Sequence, residues 1–120
     1  MASSLVVKVT AGADAPERCA QAFNVAAVGV AAGVSVSLWL TGEASWYALP
    51  GRAEQFTLPH SAPLADLRDA VLTGGTLTLC TQCAARREIT PADTLPGVRI
   101  AGAQQFLEEI MTPDTQALVY

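Results

Sequence analysis

Two kinds of segment alternate along this chain, and their order constrains the fold more than any single residue. Short runs of strand character occur at Leu5–Val9, Val34–Leu40, Thr76–Cys80, Val98–Ile100 and Gln116–Tyr120. Helical spacing fills the intervals: Ala15–Ala32, a segment opening at Pro63, a short piece after Cys80, and Ala103–Met111. Parallel strands need crossover connections that pack on the faces of the sheet, so this order predicts a mostly parallel sheet. The expected fold class is α/β, a single-domain three-layer sandwich over residues 1–120. Its five-stranded sheet carries helices on both faces.

Local signals refine this picture. VSVSLWL alternates, placing Val34, Val36, Leu38 and Leu40 on one face and Trp39 on the other. Asp14 is expected to cap the first helix, with Pro16 and Glu17 in its first turn and Gly33 as the stop. Cys19, Phe23, Ala26, Ala27 and Val30 form that helix's apolar stripe, while Val25 and Val28 lie off it. Trp46 and Tyr47 fall in a short helix, Ala44–Leu49, broken by Pro50-Gly51. Glu54–Leu58 reads as a short strand or an extended loop. In the helix opening at Pro63, Ser61 or Ala62 is the expected cap; Leu64, Leu67, Val71 and Leu72 face inward and Asp66, Arg68 and Asp69 outward. Thr90 is the expected cap of a turn beginning at Pro91.

Composition excludes several function classes. The net charge of -4, with Arg86-Arg87 the only adjacent basic pair, argues against a nucleic-acid partner, because no basic stripe exists to displace counterions. No apolar run reaches the roughly 18 residues of a membrane span. Met1-Ala2-Ser3-Ser4 lacks the basic region of a signal peptide, and three cysteines suit a reducing cytoplasm better than a secreted scaffold. Hydrophobic residues make up 51% against 15% charged, which predicts a homo-oligomer that covers apolar surface. Gly12, Gly33 and Gly42 match no phosphate-binding pattern, and no cofactor is assigned.

The chemistry concentrates in GGTLTLCTQCAARREIT. Cys80 ends a strand and Cys83 follows at the start of a helix, where backbone N–H groups and Arg86 or Arg87 stabilise a thiolate. Three readings stand side by side: a dithiol redox pair, half of a zinc site, and a persulfide-carrying Cys80 that Cys83 resolves. Zinc lacks further ligands, since His60 and Cys19 have no ligand spacing, and no metal is assigned. Cys19 reads as a core residue and His60, between two prolines, as a loop residue. Asp14 and Glu43 are the nearest acids at strand ends; Trp46 and Tyr47 either pack in the core or wall the cysteine cleft. If their strands are neighbours, the loops at Thr10–Gly12, Thr41–Glu43 and Cys80 converge on one cleft.

The opening LVVKVTAGADAPERCAQAFNVAAVGVAAGVSVSLWLTGEA resembles the start of DsrE/DsrF-like proteins. PLADLRDAVLTGGTLTLCTQCAARREIT and the tail VRIAGAQQFLEEIMTPDTQALVY are similar to the rest of that family. In its sulfur-relay members a cysteine at the end of the fourth strand receives sulfur as a persulfide and passes it to a partner. The resemblance places Cys80 at that position, followed by Ala84-Ala85-Arg86-Arg87, and implies a trimer or hexamer with a sulfur donor or acceptor protein as partner. Cys83 departs from the small apolar residues usual there. The resulting expectation is a cytoplasmic persulfide carrier or transferase with Cys80 as acceptor thiol. The alternatives are a non-catalytic homo-oligomeric binding or regulatory protein, and a dithiol redox protein using Cys80 and Cys83.

Overall fold

In the computed structural model, which describes residues 3–120, the alternating segment Ser35–Leu40 (β2) lies at the centre of the sheet. Met1 and Ala2, part of the start read as leaderless, lie outside the described residues. The other strands are Ser4–Val9 (β1), Thr76–Cys80 (β3), Arg99–Ala101 (β4) and Thr115–Val119 (β5). Their order is β4-β3-β2-β1-β5 and every neighbouring pair is parallel. The helices are Pro16–Ala31 (α1), Leu64–Gly74 (α2), Thr81–Arg86 (α3) and Ala103–Ile110 (α4).

Right-handed crossovers dictate where these helices go. The first three steps, β1 to β4, advance in one direction across the sheet, and the last step reverses to the far side of β1. α1 and α2 therefore share a face and pack on each other, while α4 takes the opposite face. The parity of β2 reports both sides. Val36, Leu38 and Leu40 are buried in the core beneath α1 and α2 together with Phe23, Leu64, Val71, Leu77 and Leu79. Burying each such side chain stabilises the fold by about 1.5–3 kcal/mol. Ser37 and Trp39 point the other way, where Glu109 of α4 accepts hydrogen bonds from Ser37 Oγ (2.6 Å) and Trp39 Nε1 (3.0 Å). Phe106 of α4 meets the Trp39 ring edge-on, with centroids 5.3 Å apart. No helix among the described residues is long and apolar enough to cross a membrane.

Four local expectations are corrected. Asp14 does not cap α1: Ala15 holds that position, and Asp14 Oδ1 instead accepts the Gly12 N–H at 2.8 Å within the β1 loop. Arg68 is not outward but 2% exposed, paired through both terminal nitrogens with Glu54 and through Nε with Asp69. Of the two readings of Glu54–Leu58 the loop holds, entered through a 3-10 turn at Ala53–Gln55, and the Arg68 clamp ties that turn to α2. Pro63 is itself the residue preceding α2, in place of Ser61 or Ala62. Because no strand forms at Glu54–Leu58, Cys80 closes the third strand in chain order, not the fourth. The turn at Pro91 forms as expected, with the Thr90 hydroxyl and N–H both donating to Asp93 at 2.8 Å.

Candidate functional site

The site lies at the C-terminal ends of β1, β2 and β3, which are adjacent in register: Val9 opposite Leu40, and Leu40 opposite Leu79. The loops leaving these strands pack backbone against backbone. A Cβ on Gly12 would stand 2.7 Å from the Glu43 carbonyl oxygen, and one on Gly42 would stand 2.5 Å from that of Thr10. Gly42 also has φ 54°, a conformation costly for any residue with a Cβ. Thr41 secures the approach by donating its hydroxyl to the Val9 carbonyl at 2.8 Å.

This packing aims the Gly42 N–H at the Cys83 sulfur, 3.4 Å away. Cys83 sits in the first turn of α3, buried, and Cys80 is the extended residue (φ -63°, ψ 129°) from which that helix starts. Cys80 is partly exposed, and its thiol donates to Gln82 Oε1 at 3.8 Å. Burial pushes the Cys83 thiol up. The Gly42 N–H, the Cys80 side chain and the charges of Arg87 and Arg86 outweigh it and hold the thiol below its ordinary value. Arg87 is fixed in place: it donates to the Cys83 carbonyl at 3.1 Å and pairs with Glu43 at 2.8 Å. The N–H donor and the fixed guanidinium thus gather around Cys83, the second of the two cysteines.

Replacing Arg87 by Ala is expected to move the alkylation of Cys83 to higher pH, with global stability changing by about 1 kcal/mol or less because the ion pair is partly solvated. Iodoacetamide labelling against pH, read by peptide mass, measures this. An unmoved profile would leave Gly42, Cys80 and Arg86 to account for the lowered thiol.

The other candidates are distributed elsewhere. Cys19 is fully buried on α1, where burial and then the Asp14 charge push its thiol up to about 12, so it is inert as a nucleophile. His60 (φ 60°) lies in an exposed turn against α1, lining a groove with Glu17 and Asn24 that is separate from the cysteines. Glu43 is brought to the site through Arg87. Trp46 and Tyr47 line a different cavity, of about 310 Å³, with Arg52 stacked 4.4 Å over the Trp46 ring and Tyr47 edge-on to Phe23 in the core. Among the described residues, no group of three or more His, Cys, Asp or Glu side chains is placed to hold a metal ion.

Cys80 opens instead onto a small cavity on the α4 side of the sheet, shared with Lys8, Thr41, Gln82 and Phe106. Sequence reasoning missed Lys8 as a member of the site; it placed Gly42 in the converging Thr41–Glu43 loop but not as the donor to Cys83. Lys8 is the single interruption of the run LVVKV, a signal consistent with a site residue but equally with a solvated edge. Gly42 carried only the signal of a strand-end glycine.

The family model described as the DsrE/DsrF-like family matches residues 3–115. Among solved structures, the crystal structure of the ychN protein from E. coli is similar over 100% of both chains, with a TM-score of 0.80 and 16% sequence identity, a likeness of fold. No curated protein matches the sequence at a significant level.

Proposed function

The chain belongs to the DsrE/DsrF-like family, and from that premise we propose that it carries sulfane sulfur as a persulfide on Cys80. One observation carries the reading: a partly exposed thiol, Cys80, stands one helical turn from a buried sulfur, Cys83, that accepts the Gly42 N–H and whose thiol is held below its ordinary value. Cys83 takes the Cys80 proton. The Cys80 thiolate then attacks the outer sulfur of a donor persulfide; the donor S–S bond breaks and the donor sulfur leaves with the electron pair. Cys80 now bears the extra sulfur, and a partner thiolate removes it by the same exchange.

Cys83 also supports the second reading, a dithiol redox pair. Attack of the Cys83 thiolate on the Cys80 sulfur of the persulfide would form a disulfide and expel hydrosulfide. All three cysteines are free in this structure. Incubation with a sulfane-sulfur donor followed by intact and peptide mass spectrometry separates the two. The carrier reading expects a gain of one sulfur atom mapped to Cys80. Loss of two hydrogens across Cys80 and Cys83, with no sulfur gained, would replace it with the redox reading.

Assembly into a homo-oligomer, a trimer or hexamer, belongs to the same proposal, as does a cytoplasmic setting with a sulfur donor or acceptor protein. Several large apolar side chains are uncovered: Leu107 at 56%, Met111 at 72% and Val119 at 66% exposure. Val119 pairs in register with Lys8, whose ammonium lies over Phe106, so the three belong to the α4 side of the sheet, beside the unpaired edge of β5. Light scattering is expected to give a multiple of the 12.5 kDa chain mass. A monomer at micromolar concentration would refute assembly through this face.

A further inference from the structure

The cavity beside Cys80 constrains what its sulfur donor is. Its volume is about 140 Å³. That is well below the roughly 300–1,000 Å³ of pockets that hold drug-sized ligands or cofactors. At ~30 Å³ per water it amounts to a few water volumes, room for a molecule of a few heavy atoms. A folded partner's surface reaches Cys80 only from outside; the cavity itself admits something small. Its lining is largely apolar, from Trp39, Phe106 and Ala103, with the Thr41 and Gln82 side chains as polar exceptions.

One charge faces this space. Lys8 lies on the same face of the sheet as Trp39, its register partner, and its ammonium rests 5.0 Å from the Phe106 ring centroid. Among the described residues Lys8 has no carboxylate within salt-bridge distance, whereas Arg68, Arg87 and Arg99 all do. In a chain of net charge -4 this leaves a local cation beside the exposed thiol. A cation in a low-dielectric, mostly apolar wall attracts an anion more strongly than one in open water.

Building on the carrier reading, we propose that the cavity binds a small anionic sulfane-sulfur donor, of the thiosulfate class, whose charge is paired by Lys8 while its outer sulfur faces Cys80. The step balances without any further reagent. The Cys80 thiolate attacks the outer sulfur of thiosulfate. The S–S bond breaks, sulfite leaves with the bonding electron pair, and Cys80 holds the transferred sulfur as persulfide. Lys8 acts on the anionic part of the donor and on the departing sulfite, and is therefore a specificity residue for anionic donors. It takes no part in the exchange at sulfur.

The test compares two donors, thiosulfate and a persulfide-bearing peptide too large to enter the cavity, each scored by the initial rate at which Cys80 gains a sulfur. Lys8→Met is expected to slow loading from thiosulfate by about tenfold, the scale of one lost contact to a charged group. Loading from the peptide, whose charge the cavity does not hold, should fall less, so that the ratio of the two rates reads the contact of Lys8 with the anion. Lys8→Arg, which keeps the cation, should restore most of the thiosulfate rate, and its recovery excludes a folding defect as the cause. An unchanged thiosulfate rate in Lys8→Met overturns the proposal, as does an equal fall with both donors. Loading of the wild type by the peptide but never by thiosulfate overturns it while leaving the carrier reading intact. Failure of both donors to load Cys80 overturns the carrier reading and this inference with it.

Discussion

Replacing Cys80 by Ala is expected to abolish sulfur loading, by about a hundredfold or more, as loss of a nucleophile does elsewhere. The protein should otherwise be unharmed, because the Cys80 side chain is partly exposed and contributes little to the core. The informative comparison is Cys83→Ser. Serine has nearly the same shape and accepts a hydrogen bond from Gly42, but it does not hold a negative charge at neutral pH. The Cys80 proton then loses its local acceptor, and loading is expected to slow by about tenfold to a hundredfold at pH 7, the lower range for loss of a general base. The deficit should shrink as pH rises, since hydroxide replaces the missing base. Intact-mass time courses from neutral to alkaline pH check both. Full activity of Cys83→Ser at neutral pH would remove Cys83 from the mechanism, and sulfur gained by Cys80→Ala would place the acceptor elsewhere.

The second large effect lies in the attachment of α4 to the sheet. Glu109 is the sole α4 carboxylate that reaches the sheet; one oxygen accepts from Ser37 and Trp39, and the other pairs with Arg99, which also donates to Thr78 at 2.9 Å. None of the α4 residues is fully buried, so this polar anchor and the Phe106–Trp39 contact carry much of its attachment. Glu109→Gln keeps the shape and removes the charge, leaving Arg99 without its partner beside the Trp39 ring. It is expected to destabilise the fold by about 1–2 kcal/mol at pH 7, measured by urea unfolding.

The pH dependence has a definite sign. Burial raises the Glu109 pKa, but the hydrogen bonds from Ser37 and Trp39 and the Arg99 contact outweigh it and hold the carboxyl below its ordinary value. Its contribution is therefore fully present above the unfolded-state value of about 4.3 and is lost as pH falls through the lower folded-state value. The wild-type advantage over Glu109→Gln should accordingly shrink toward acid pH. An advantage that stays constant through that range would mean the carboxylate's charge is not what anchors α4.

Much of the architecture was legible because it rests on short-range periodicity. VSVSLWL alternates, so Val36, Leu38 and Leu40 had to share a face opposite Trp39 whatever the fold became. The repetition of strand and helix then demanded a parallel sheet covered on both faces, and the strand-to-helix transition at Cys80 put two sulfurs at a strand end. Arg68 was misread for the opposite reason. Its position on α2 is polar by type, and only the fold of the distant Ala53–Gln55 turn supplies the Glu54 carboxylate that makes burial tolerable. Asp14 was misassigned because a capping residue and a loop acceptor look the same in one dimension, and the choice depends on where the Gly12 N–H points.

What the sequence determined alone is the α/β class, the two faces of the central strand β2 and the candidacy of Cys80 and Cys83, since each follows from neighbours a few positions apart. The distinction by which Cys83 has an N–H donor and a fixed cation beside it was decided only in three dimensions. That distinction comes from Gly42, 41 positions from Cys83, and from Arg87 steadied by Glu43, 44 positions away. The same holds for Lys8, which becomes part of a site only because parallel pairing sets β1, β2 and β3 side by side and brings its ammonium to the cavity of Cys80. Electrostatic support for a thiol depends on distance through space, and no spacing along the chain encodes it.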